Sequence, residues 1–382
     1  MRVFTSLIVV SLLSGGALAQ DDPQTATIEF QGEEWTYFDF PDDVVRVENY
    51  LGRESLFIGR NSVARADLDL ADLVIEYDYA STHESGFIGV NFRFDLETNS
   101  FEQFYTRPHQ SGQPDATQYM VAINGSATWQ LHAGPNEAVA TDLAAQEWIP
   151  IRIVVIGDQA DIFVDDMDTP LIHVPDLRFD GGHGLVSLYA SDRPFMPDTG
   201  AYFSNVRIRE ANSEDQIIGT PRETDPLPVG LISEFMVSNA FAETELDGVF
   251  SIADFDLDSH SWNALGVESD GVANLARIAG PAQGANTVFV RMSIDAEEAT
   301  ERMMMFGYSD RVRLYVNGEQ VYFGNAQWRS RDHRFLGTVA LADGAALHLR
   351  EGRNEIVAAV SESFGGWGFK AQIEDQSGLV ID

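Results

Sequence analysis

Cysteine is absent from the 382-residue chain. That excludes disulfides, thiolate metal sites and a lipidated N-terminal cysteine, and leaves burial alone to stabilise the fold. Cations are scarce as well: 24 Lys and Arg stand against 60 Asp and Glu, and Lys370 is the only lysine. A formal net charge of −36 leaves no broad cationic face of the kind that nucleic acids or anionic membranes require. Such an acidic surface suits salty water, where ions screen self-repulsion. Long apolar runs are also missing. Crossing a bilayer takes about 20 apolar residues, so no membrane span is expected. Helical periodicity is nearly absent too, apart from one turn near Ala138–Ala145.

The first residues do have an apolar run, but a short one. Arg2, then Leu7–Leu13 broken only by Ser11, then Ala17-Leu18-Ala19, form the three parts of a secretory leader cleaved after Ala19. The expected location is therefore secreted or periplasmic.

What fills the rest is two-residue alternation. Leu73–Tyr79, Gly86–Phe94, Phe101–His109, Gln118–Asn124, Thr128–His132, Trp148–Ile156, Gln159–Val164, Gly184–Ala190 and Ala201–Ile208 read as strands separated by Gly, Asn, Asp and Pro. Residues Ala211–Pro228 hold three prolines and four acidic side chains and read as a linker. Beyond it, Val288–Ile294, Arg302–Gly307, Val312–Val316, Gln320–Phe323, Ala346–Leu349 and Glu355–Ser361 are further strands. Asn317-Gly318 predicts a two-residue hairpin turn, and Glu351–Asn354 another turn. The expectation is an all-β protein with two β-sandwich or jelly-roll domains in tandem: a leader at 1–19, a first domain at 20–210, a linker at 211–228 and a second domain at 229–382.

Catalytic motifs are mostly excluded. There is no Gly-x-Ser-x-Gly elbow, no His-Glu-x-x-His and no phosphate loop. Glu76 and Asp78 share a strand face, but Ser81 stands where a retaining glucanase would need its second carboxylate, and Glu84 breaks the alternation. Asp254, Asp256 and Asp258 have calcium-loop spacing, yet Ser259 replaces the turn glycine and Leu265 the bidentate Glu. Asp161, Asp165, Asp166 and Asp168 cluster on one hairpin and form the candidate site for a structural calcium; no cofactor is required. The catalytic residues are not assigned.

One polar pattern stands out. If Gly86–Phe94 and Phe101–His109 pair in register, Asn91, Arg93, Gln103, Tyr105, Arg107 and His109 share a face, which Gln118 and Trp129 extend. Planar hydrogen-bonding side chains beside an aromatic ring are what a sugar needs. In the second domain Trp328 is the candidate exposed platform, while Trp367 among glycines is read as packing.

Trp148–Asp166, Gly181–Ala190 and Ala201–Ile208 resemble, in their order, the closing strands of the concanavalin A-like lectin/glucanase superfamily, particularly its laminin-G-like and 3-keto-disaccharide-hydrolase-like sandwiches. Tyr308–Gly324, Arg331–Leu341, Leu349–Glu362 and Gly365–Phe369 resemble galactose-binding-like jelly rolls. The resemblances imply an exported carbohydrate-interacting protein that binds a glycan or assists its degradation, with a poly- or oligosaccharide as partner. Two alternatives follow from the same folds: a glycoside-cleaving enzyme with Glu102, His109 or Arg107 near the reaction, or an adhesion module that recognises protein.

Overall fold

The computed structural model describes residues 25–39, 44–83, 86–191, 200–253, 255–282 and 284–382. The leader at 1–19, Glu84 and Asp254 lie outside the described residues. Strand accounts for about 53% of the structure, and the longest helical segment among the described residues is the four-residue 3-10 turn Glu243–Leu246. The protein is all-β. No helix among the described residues is long and apolar enough to cross a membrane.

The chain forms two compact units, one of residues 1–122 and 134–224, the other of residues 123–133 and 225–382. Unit 1 contains β1 (Thr25–Phe30), β2 (Glu33–Phe38), β3 (Val45–Tyr50), β4 (Arg53–Ile58), β5 (Asn61–Leu70), β6 (Leu73–Ser81), β7 (Phe87–Asp95), β8 (Ser100–Thr106) and β9 (Thr117–Ile123). After the short β10 (Ser126–Ala127), it continues with β11 (Ala138–Val139), β12 (Ile149–Ile156), β13 (Gln159–Val164), β14 (Ile172–Val174), β15 (Gly184–Ser191) and β16 (Ala201–Glu210). One sheet runs β1-β2-β5-β15-β7-β8-β9, and the other runs β14-β13-β12-β6-β16-β4-β3. Their apolar faces meet in one core. Alternation selects its members: Leu73, Ile75, Tyr77 and Tyr79 of β6 face Ile88, Val90 and Phe92 of β7 and Phe104 of β8, all essentially buried. Each such side chain contributes about 1.5–3 kcal/mol of burial.

Unit 2 contains β17 (Glu234–Ser238), β18 (Trp262–Gly266), β19 (Ala273–Asn274), β20 (Thr287–Ala296), β21 (Thr300–Ser309), β22 (Arg311–Val316), β23 (Glu319–Asn325), β24 (Asp343–Leu349), β25 (Gly352–Ser361), β26 (Gly368–Gln372) and β27 (Leu379–Ile381). The larger sheet runs β18-β17-β20-β25-β22-β23, the smaller β19-β26-β21-β24. Between them lies a second core that includes Val290, Phe306, Leu314, Ala358 and Trp367. Asn317 and Gly318 take positive φ values of 50° and 90°, so the Asn-Gly turn forms as its residue types dictate. Asn354, fully buried, ties both predicted turns together: its amide donates to the carbonyls of Arg350 at 2.8 Å and Gly352 at 2.9 Å, and its oxygen accepts from Asn317 at 2.9 Å.

Four expectations from local sequence are corrected. Thr128–His132 forms no strand; it lies in the segment that clusters with unit 2. The strand read as Phe101–His109 stops at Thr106, because Pro108 lacks an amide proton and opens a 3-10 turn over Pro108–Gln110. Ala138–Val139 is a short strand beside β9 rather than a helical turn. The first half of the expected linker is built into unit 1. Ile217 packs with Val74, Val154 and Phe163, and the amides of Ile218 and Gly219 donate to Asp161 at 2.6 and 2.8 Å. Arg222 donates to the carbonyls of Pro135 and Leu171 at 2.9 and 2.8 Å. Acidic residues and prolines suggested a solvated tether, but a buried carboxylate on the neighbouring strand supplies acceptors for the segment's backbone.

Candidate functional site

The register places most of the polar pattern in unit 1 as alternation demands. Asn91 lies opposite Gln103, Gly89 opposite Tyr105, and Tyr105 opposite Gln118. A polar row crosses four strands on the face away from the core. Gln103 donates to Asn91 at 2.7 Å, Asn91 to Ser187 at 3.0 Å, and Ser62 to Ser187 at 3.0 Å. Next to it, the Gln118 carbonyl oxygen accepts from the Tyr105 hydroxyl at 2.7 Å and from Arg107 Nη2 at 3.1 Å. Arg107 also donates Nε to the Asp115 carbonyl at 2.7 Å and pairs with the Asp115 carboxylate at 2.8 Å.

These side chains are buried. Asn91, Gln103, Tyr105 and Gln118 are 2–5% exposed and Arg107 9%. Burial pushes the Tyr105 hydroxyl up to about 12, so it donates rather than ionises. His109 is half-buried on the 3-10 turn, with Nδ1 3.1 Å from the Gly86 carbonyl and its ring edge-on to Phe87 at 5.3 Å.

Arg93 does not join the face. The register of β7 shifts against both β8 and β15 around it, and its φ is +50°. A bulge inserts one extra residue and reverses the alternation. The guanidinium instead donates to the carbonyls of Ala71 at 3.0 Å, between β5 and β6, and Gly157 at 2.5 Å, between β12 and β13. No local signal marks this bulge in the sequence.

The enzyme alternative finds no support in Glu102. It alternates with Phe104 on the core side of β8 and is 0% exposed. Its oxygens accept from the Tyr119 hydroxyl at 2.7 Å and the Phe179 amide at 2.8 Å. Burial raises its carboxyl against the pull of these donors and of Arg93 and Arg178. Arg107 pairs with Asp115, and His109 Nδ1 lies against the Gly86 carbonyl. The acidic hairpin does not gather either. Asp161 is fully buried and bound by His173 at 2.7 Å as well as by the two amides of 218 and 219, whereas Asp165, Asp166 and Asp168 are exposed. Among the described residues no group of three or more His, Asp or Glu side chains is arranged to hold a metal ion.

Trp129 and Trp328 were read as belonging to different domains. Both fall in unit 2, where Phe364 stands between them, edge-on to Trp129 at 5.7 Å and to Trp328 at 6.3 Å. Trp328 is 43% exposed, and Trp129 and Phe364 are half-buried. The loop Ser361–Trp367 that carries Phe364 is held from beneath. Asp310 accepts from the amides of Ser363 at 2.8 Å and Phe364 at 3.0 Å, and Glu362 accepts from the Gly366 amide at 3.2 Å. Burial, then the adjacent Asp310, raises the Glu362 carboxyl well above its ordinary value. Gly365 and Gly366 adopt φ of 104° and 137°. A Cβ on Gly365 would meet the Gln130 side chain at 2.1 Å, and one on Gly366 would meet Leu131 at 2.5 Å. The double glycine therefore lets the 127–131 segment, with Trp129, close on the loop. Trp367 is fully buried and donates to the Val360 carbonyl at 3.0 Å, which makes it a packing residue.

The 123–133 segment is anchored in unit 2 by His132. Its Nδ1 lies 2.8 Å from Asp270 and its Nε2 3.1 Å from Glu268. Burial would raise Glu268, but His132 and the Arg277 guanidinium outweigh it and hold that carboxyl at about 2. Phe364 was missed in the sequence because nothing local distinguishes it from a core phenylalanine.

No family model and no curated protein matches the sequence. Among solved structures, the chain is similar to the carbohydrate-binding module CBM66 from Bacillus subtilis, with 16% identity over 44% of this chain and 96% of that one and a TM-score of 0.33. It is similar to a Bacillus subtilis protein with a galectin-like fold, with 7% identity over 46% of this chain and 89% of that one and a TM-score of 0.33. It is also similar to the galectin LEC-6 of Caenorhabditis elegans, with 11% identity over 44% of this chain and 98% of that one and a TM-score of 0.26. The assignment of both units as antiparallel β-sandwiches rests on the sheet pairings themselves.

Proposed function

We propose that this is an exported glycan-binding protein, with a concanavalin-like first unit and a galactose-binding-like second unit, and that the sugar rests on the ring cluster Trp328–Phe364–Trp129. Export is supported by the leader pattern at 1–19. The observation that carries the binding role is the exposure of Trp328 beside Phe364, on a loop fixed by Asp310 and shaped by Gly365-Gly366. A pyranose ring offers C–H groups to an aromatic face and hydroxyls to its rim. Rim groups are present: Ser363 is exposed and accepts from Arg311 Nη1 at 2.8 Å and Gln327 at 3.3 Å. Because the loop is anchored from below, the rings need little ordering on binding.

The test is affinity electrophoresis and titration calorimetry of the mature protein against a panel of soluble polysaccharides. Trp328→Ala should weaken retention by about 1–2 kcal/mol without altering the far-ultraviolet circular dichroism. Unchanged affinity in a folded Trp328→Ala protein overturns the platform.

A further inference from the structure

The loop that presents Trp328 inverts the charge of the rest of the chain. Residues 326–336 contain Arg329, Arg331 and Arg334 against a single carboxylate, Asp332, in a chain where acids outnumber Lys and Arg 60 to 24. The three arginines are used differently. Arg331 anchors the loop: it pairs with Asp343 through both guanidinium arms and donates to the Tyr308 hydroxyl at 2.9 Å. Arg334 is tied to Asp332 at 3.0 Å. Arg329 is exposed and lies over the Trp328 ring, 4.1 Å from its centroid, and its guanidinium has no hydrogen-bond or ion-pair partner among the described residues. Its backbone is fixed nonetheless, since its amide donates to the Phe335 carbonyl at 2.8 Å and its φ is +61°.

A guanidinium held over an aromatic ring keeps its N–H edge free for a planar, bidentate acceptor. The acids nearest the Phe364 loop do not cancel it. Glu362 is 6% exposed with Oε2 unpartnered, and Asp310 is committed to the Ser363 and Phe364 amides. Glu243 is bound bidentately by Arg311 at 2.8 and 2.7 Å.

Resting on the glycan-binding reading, we propose that the Trp328 site selects acidic glycans, those with a uronate carboxylate on the sugar that stacks on the rings, and that Arg329 is the residue that selects them. A short oligosaccharide fits better than a long polyanion. Its carboxylate meets Arg329 within one Debye length, whereas a polyanion also feels the overall negative charge of the protein.

The experiment compares two forms of one ligand, oligogalacturonate and its methyl ester, by calorimetric titration of the full mature chain. The acid form should bind about tenfold more tightly than the ester at low salt, the difference shrinking as salt is raised. Arg329→Gln should reduce that ratio to about one by weakening the acid form more than the ester, and Trp328→Ala should weaken both forms. Equal binding of acid and ester by the unaltered protein, or an undiminished preference in Arg329→Gln, overturns the proposal. Trp328-dependent binding of neutral glycans without acid preference overturns this inference alone; failure of every glycan in the panel overturns the binding reading beneath it. A single-stranded oligonucleotide that binds through Arg329 more tightly than the oligogalacturonate also overturns it.

Discussion

Arg107 of unit 1 and Arg329 of unit 2 both lie near an aromatic ring, 5.7 Å from the Tyr105 centroid in one case and 4.1 Å from Trp328 in the other. Arg107 has its donors engaged by Asp115 and Gln118 and is 9% exposed. Arg329 is exposed and gives its guanidinium to no described acceptor. The same residue types thus serve cohesion in one unit and presentation in the other. Residue type alone does not make a binding surface; what separates the two is whether the side chains' hydrogen bonds are satisfied within the fold.

The largest effect that can break this comparison is in unit 1. Gln118→Ala leaves the Tyr105 hydroxyl without its acceptor in a buried setting and removes one of the two acceptors of Arg107 Nη2, which keeps the Asp115 carboxylate. It should cost about 1–3 kcal/mol of that unit's stability, read from the midpoint of its urea transition. Glycan affinity per folded molecule should stay the same. If affinity falls while the midpoint holds, the sheet face is a ligand surface and the contrast collapses.

Trp328→Ala should do the converse, with its loss of about 1–2 kcal/mol in affinity and a stability change within about 0.5 kcal/mol. A large drop in melting temperature would make Trp328 a packing residue, like Trp367.

The smallest effects are slopes of stability with pH, and within unit 2 they have opposite signs. Glu362 has a folded pKa raised above its ordinary 4.5, so its favourable contribution is complete below pH 4.5 and is lost as pH rises toward the folded value. Glu362→Gln should flatten that decline above pH 4.5. Glu268 is held at about 2, so its contribution is present above about pH 4.5 and is lost as pH falls toward 2. Glu268→Gln should leave unit 2 weaker at neutral pH and less sensitive to acid. Thermal melts from pH 3 to 9 separate the two; parallel profiles for both variants would show that neither carboxyl titrates as assigned.

Particular residues show how far the sequence could be read. Period-two runs such as Leu73–Tyr79 and Gln118–Asn124 became β6 and β9 nearly residue for residue, because burying one face of a strand leaves a pattern that needs no knowledge of the partner. The Asn317-Gly318 turn was legible for the same reason: few other residue pairs accept two positive φ values. Arg93 was misread since a bulge reverses alternation without changing residue types. Trp129 was assigned to the wrong side of the boundary, because a segment of eleven residues, 123–133, clusters with strands more than a hundred positions later.

By itself, the sequence determined the all-β class, the absence of disulfides and the exclusion of several catalytic motifs, all of which follow from local pattern and composition. Only the tertiary structure decided which polar groups are spent. Asp161 is consumed by Ile218 and Gly219, Gln118 by Tyr105 and Arg107, and Arg331 by Asp343, while Arg329 is left with a ring beneath it. Hydrogen bonding is a property of pairs, and the partners here lie from 11 to 58 positions apart or, for Arg329, do not exist among the described residues. Local sequence carries no record of that distance, so availability for a ligand could be read only after the chain had folded.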